Sequence, residues 1–110
     1  MIKQKELKKY KLNTFKMIKY KKPIVVAEIG CNHMGQLDIA YELIDLAKSS
    51  GANFAKFQKR NNKELLSEVE YNSPHPNPQN SYGSTYGEHR EKLEFDIETH
   101  IKLKNYCNDI

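Results

Sequence analysis

Two charged residues, Glu28 and Lys56, stand near the ends of two short apolar runs. By type and position they are the residues best placed to do chemistry. The first run is Ile24-Val25-Val26-Ala27-Glu28-Ile29 and continues into Gly30-Cys31-Asn32-His33. The second is Asn53-Phe54-Ala55-Lys56-Phe57 and continues into Gln58-Lys59-Arg60. A charge in a buried strand is costly unless paired, so the pattern points to a site. A carboxylate beside a lysine can trade protons at moderate pH, because each perturbs the other's pKa. The ammonium also supplies positive charge beside an anionic substrate. The other reading of the pair is a structural salt bridge at a sheet rim.

The elements that must position these groups follow from parity. Side chains alternate faces along a strand, so Ile24, Val26 and Glu28 share one face and Val25, Ala27 and Ile29 the other. Phe54, Lys56 and Gln58 likewise lie opposite Ala55 and Phe57. Each strand has one apolar face suited to helices and one that turns polar toward its carboxyl end. That fits a parallel α/β sheet or barrel, whose chemistry sits at the carboxyl ends of its strands. Adjacent strands lie about 4.8 Å apart, which lets Glu28 and Lys56 pair. Between the runs, Leu37, Ala40, Tyr41, Ile44, Ala47 and Lys48 keep helical spacing, so a helix is expected over Leu37–Ser50. Asp38 and Glu42 sit early and Lys48 late, as the helix dipole favours, and Gly51 supplies the stop. The unit is therefore strand, helix, parallel strand, with a right-handed crossover.

These residues also carry a family resemblance. Ala27-Glu28-Ile29-Gly30-Cys31-Asn32-His33-Met34-Gly35 and Gly51-Ala52-Asn53-Phe54-Ala55-Lys56-Phe57-Gln58-Lys59 resemble the opening of the N-acetylneuraminate (sialic acid) synthase family. Gly83-Ser84-Thr85-Tyr86-Gly87-Glu88-His89-Arg90-Glu91-Lys92-Leu93-Glu94-Phe95 is similar to a stretch that follows the second strand in many members. The three blocks stand in family order within residues 23 to 107. The resemblance implies a (β/α)8 TIM barrel that condenses phosphoenolpyruvate with N-acetylmannosamine or a related N-acyl hexosamine and releases phosphate. It implies catalytic roles for Glu28, in proton transfer or orientation, and for Lys56, in substrate binding and charge balance. Gln58 matches a polar sugar contact, and Asn32 and His33 match a supporting pair in the first βα loop. It further implies a divalent metal, manganese or magnesium, held by histidines of later strands, and a homodimeric complete enzyme.

No metal or phosphate motif of that kind can be matched within the 110 residues. The histidines, His33, His75, His89 and His100, include no helical ligand pair, and His75 and His100 read as surface residues. A complete barrel takes about 250 residues. The expectation is an N-terminal portion of the synthase domain over 23–110, an incomplete barrel, inactive by itself.

With 38% hydrophobic and 29% charged residues, the composition suits a globular domain. The net charge of +4 is uneven: residues 1–22 carry +8 and the remainder −4. The basic arm reads as a short β-hairpin beneath the barrel, because Leu12, Phe15, Met17 and Ile18 interleave with its lysines. Binding of nucleic acid by that arm is the alternative. No run approaches the roughly 18 apolar residues of a membrane span, and no signal peptide is evident, which places the protein in the cytoplasm. Cys31 and Cys107 read as free thiols.

Residues 61–92 read as irregular apart from a short helix within Lys63–Glu70. Pro74, Pro76 and Pro78 enforce an extended path there. Lying after the second strand, this loop is expected over the barrel mouth as a lid or sugar-binding wall, with Asn80 bonding hydroxyls and Tyr82 and Tyr86 packing on a sugar ring. Equally, the tyrosines anchor the loop. A last helix is expected from the N-cap Asp96, with an apolar stripe of Ile97, Ile101, Leu103, Tyr106, Cys107 and Ile110 covering the second strand. Glu88, Arg90, Glu91, Lys92 and Glu94 read as solvated or locally paired. A phosphoenolpyruvate-dependent synthase of another 3-deoxy sugar acid and an inactive remnant are the competing readings.

Overall fold

The computed structural model describes residues 19–110. The expected hairpin and most of the basic arm over 1–22 lie outside the described residues. Two parallel strands, β1 (Val26–Gly30) and β2 (Phe54–Phe57), are joined by helix α1 (Leu37–Ser49). After β2 come the short helices α2 (Asn62–Leu65) and α3 (Glu68–Asn72) and a single 3-10 turn, Pro78–Asn80. Helices α4 (Tyr86–Lys92) and α5 (Ile97–Asp109) follow. This is an α/β arrangement compatible with the first βα units of a barrel.

The register sets Val26 opposite Phe54, Ala27 opposite Ala55 and Glu28 opposite Lys56, then slips so that Gly30 faces Phe57. Gly30 takes the slip with φ +58°, a left-handed conformation open to glycine without strain. Ile29 is buried with Ala40 and Ile44 of α1, and Ala55 and Phe57 pack on the same cluster. The opposite sheet face, bearing Val26 and Phe54, is 50% and 60% exposed at those residues. The expected division of faces is therefore present. Gly51, at φ +89°, ends α1 as a stop signal does.

Three expectations need correction. Residues 86–92 form helix α4 rather than loop. Thr85 caps it, its hydroxyl accepting the Glu88 N–H at 3.1 Å, and Gly87 lies against the face of Tyr71, where a Cβ would meet the ring at 2.3 Å. The single short helix within Lys63–Glu70 is two helices, because Leu66 turns extended (ψ 142°) and Ser67 opens a new capping box with Glu70. In α5, Asp96 is the N-cap, accepting the Thr99 N–H at 2.7 Å. Its packed face is Leu103, Tyr106 and Cys107, while Ile97 and Ile101 are 70% and 53% exposed. That face meets α1 rather than covering β2. The Tyr106 and Tyr41 rings lie 4.5 Å apart, and the Tyr106 hydroxyl donates to Asp45 at 2.6 Å. Between α5 and β2 a gap of about 220 Å³ remains, lined by Ala55, Cys107 and Ile110.

Candidate active site at the carboxyl ends of the strands

Because register places Glu28 opposite Lys56, and parity puts both on the face away from α1, their side chains meet. Lys56 Nζ lies 2.7 Å from Glu28 Oε2. They are not buried as expected: Lys56 is 60% and Glu28 51% exposed at the side chain. The reason is geometric, since no described element lies over that face of the sheet. Exposed, the pair contributes little to stability, about 0–1 kcal/mol.

Gln58 continues the face of Lys56. The point a Cβ on Gly30 would occupy lies 3.6 Å from both Gln58 Oε1 and Glu28 Oε1, so both oxygens border one small space over a bare glycine. The Arg60 guanidinium donates to Gln58 Oε1 through Nη2. Cys31 Sγ approaches the same oxygen at 3.8 Å, and burial pushes its thiol pKa up, which keeps it protonated.

Asn32 and His33 leave the β1 exit differently. The Asn32 amide folds back to donate to the Ile29 carbonyl at 2.9 Å. His33 is 1% exposed, stacks on Phe95 at a centroid distance of 4.0 Å and accepts the Gly35 N–H at Nδ1. Burial, then the nearby His100, lowers its pKa, so the ring is neutral. It sits in the interior beneath the strand exits, where it orders the loop.

The tyrosines belong to the segment after β2. Tyr82 is 49% exposed and stacks on His89 at 5.6 Å. Tyr86 accepts from Arg90 at 2.9 Å and packs against His75, which anchors the loop to α4. Asn80 is exposed in the 3-10 turn. No contact joins these three to Glu28 or Lys56. His75 and His100, read as surface residues, are half-buried; His75 stands edge-on to His89 at 4.4 Å.

Two residues at the site were not picked out from sequence. Arg60 keeps the alternate spacing of Lys56 and Gln58, a signal that was available. Glu94 reads from sequence as a solvated or locally paired charge, yet its side chain is 9% exposed and its Oε2 accepts the Arg60 N–H at 3.1 Å, with Lys59 Nζ at 3.6 Å. Nothing local in the sequence marks that contact. Among the described residues no three His, Cys, Asp or Glu side chains come together as a metal ligand set, and none of the described helices is long and apolar enough to cross a membrane.

A family model described as the NeuB family matches residues 43–110, from mid-α1 through β2 to α5. The chain is 42% identical over 91 residues to the N-acetylneuraminate-9-phosphate synthase of Homo sapiens, covering 78% of this chain and 24% of that protein. Its Drosophila melanogaster counterpart is 36% identical over 90 residues, with 78% and 23% covered. The N,N'-diacetyllegionaminic acid synthase of Campylobacter jejuni is 35% identical over 83 residues, covering 76% of this chain and 25% of that protein. The chain thus spans about a quarter of the length of the curated relatives it matches. With the match covering more than half of its residues, and with β1, β2 and their facing charges set as described, the chain belongs to the NeuB family.

Proposed function

We propose that this chain supplies the first βα units of a (β/α)8 barrel that condenses phosphoenolpyruvate with an N-acyl amino sugar to give a nonulosonic acid and phosphate. The observation that carries this reading is the Glu28–Lys56 pair at the carboxyl end of two parallel strands. It is supported by the likeness to sialic acid and legionaminic acid synthases.

In that reaction the enol carbon attacks the sugar aldehyde and forms the new carbon–carbon bond. The aldehyde oxygen takes up a proton, water adds to the resulting oxocarbenium-like carbon, and phosphate leaves. Glu28 is placed to exchange a proton at its carboxylate or to orient the attacking water. Lys56 holds the charge of the anionic substrate and steadies the carboxylate. Gln58, whose amide borders the same space, bonds the sugar. The divalent metal implied by the resemblance is proposed to be held by ligands outside these 110 residues, and the roles above do not draw on it.

The test is phosphate release from phosphoenolpyruvate by the complete protein. The sugar arms are N-acetylmannosamine, its 6-phosphate, a diacetamido hexose and, for comparison, an aldose phosphate without an N-acyl group. Release with at least one of the N-acyl sugars is expected. Glu28→Gln and Lys56→Ala should lower kcat/KM by roughly a hundredfold or more while leaving the fold intact. Release only with sugars lacking an N-acyl group would transfer the protein to the 3-deoxy sugar acid synthases. No release with any of them would overturn the reading.

A further inference from the structure

We propose that Arg60 is an oxyanion-binding residue of this site, taking a phosphate or carboxylate group of the substrate, and that Glu94 is the positioning residue that holds it there. The nature of the substrate rests on the synthase reading; the anion-binding assignment does not.

Lys56, Gln58 and Arg60 occupy every second position along β2 and the segment that leaves it. The hydrogen bonds turn this spacing into a row: Lys56 bonds Glu28, Glu28 and Gln58 border the space over Gly30, and Gln58 accepts from Arg60. A cation therefore stands at each end, with a carboxylate and an amide between them. Glu28 neutralises Lys56. Arg60 is half-buried and, among the described residues, has no carboxylate within ion-pair distance. A guanidinium carries five N–H donors in a fixed fork, and the Gln58 bond engages only Nη2. An unneutralised, partly desolvated arginine beside the space over Gly30 is matched to a planar or tetrahedral oxyanion, which it binds through two parallel bonds.

Glu94 explains how the arginine is aimed. Its nearly buried carboxylate does not neutralise the guanidinium. It accepts the backbone N–H of Arg60 at 3.1 Å and lies 3.6 Å from Lys59 Nζ, fixing the chain just beyond β2. The next residue, Phe95, stacks on His33 at the β1 exit. One dipeptide thus pins both strand exits, and the glutamate sets where the Arg60 side chain departs.

The experiment uses the complete protein carrying Arg60→Ala, Arg60→Lys, Glu94→Gln or Glu94→Ala, with circular dichroism confirming the fold. Steady-state kinetics are run with phosphoenolpyruvate against N-acetylmannosamine and against its 6-phosphate. Loss of the fork should raise KM roughly ten- to a hundredfold for the substrate whose oxyanion it holds. A rise for phosphoenolpyruvate assigns the enolpyruvate end, and a rise confined to the phosphorylated sugar assigns the sugar phosphate. Either supports the proposal, with Arg60→Lys recovering only part of the loss. An unchanged KM for every anionic substrate, or an equal rise for neutral N-acetylmannosamine, overturns it. Glu94→Gln keeps an acceptor for the Arg60 N–H and should restore the KM that Glu94→Ala loses; equal effects of both variants would remove the positioning role. Should the protein turn over none of these pairs, the synthase reading fails, and calorimetric titration with inorganic phosphate decides the anion assignment. Weakening by tenfold or more in Arg60→Ala sustains it, and equal affinity of wild type and variant overturns it.

Discussion

Gly35 meets the carbonyl of Lys92, and any side chain there would collide with it: a Cβ would stand 2.0 Å from that oxygen. The backbone is also left-handed, at φ +72°, which only glycine adopts freely. Gly35→Ala should therefore destabilise the complete protein by about 1–3 kcal/mol in urea unfolding. Its neighbour His33 gives a pH signature. Burial lowers its folded pKa below the ordinary 6.5, so the unfolded chain binds that proton more readily. Its contribution to stability is present above about pH 6.5 and is lost as pH falls through the lowered folded value. His89, lowered first by burial and then by His75, acts in the same direction. Urea unfolding at pH 7.5 and 5.5 should show lower stability at the acid value, with a shallower difference in His33→Gln.

At the scale of elements, the part written in local pattern was readable. The bounds of α1 follow from its apolar spacing and from Gly51. The facing of Glu28 and Lys56 follows from period-two alternation once the strands run parallel. Helix α4 was not readable because three prolines and two glycines precede or interrupt it, while what holds it is a cap at Thr85 and a contact from Gly87 to Tyr71, sixteen residues earlier in the sequence. Glu94 was hidden for the same reason, since its acceptor role depends on an N–H 34 residues away. The apolar stripe of α5 is wider in sequence than the arc that meets α1, since Ile97 and Ile101 fall outside that arc. If the cap governs α4, Thr85→Ala should lower stability by about 1 kcal/mol, and Thr85→Ser should retain most of it. Hydrogen exchange of the Glu88 amide reads the local effect directly.

At the scale of the whole molecule, the described residues divide into a packed side and an open one. Ile29, Ala40, Ile44, Phe95 and Leu103 form a single small core, and the sheet face carrying Glu28 and Lys56 stays uncovered. The chain spans about a quarter of its relatives' length, and the covering of that face is assigned by the proposal above to the rest of the barrel. The packed side has a practical use. The chain has no tryptophan, and the Tyr106 phenol donates to the Asp45 carboxylate while its ring lies against Tyr41. An excited phenol readily passes its proton to such an acceptor, so this tyrosine should be dim when the helices are docked and brighten when they separate. The difference in tyrosine emission between the protein and its Tyr106→Phe variant then serves as a built-in gauge of native packing for substitutions at Glu28, Lys56 or Arg60, none of which touches the α1–α5 seam.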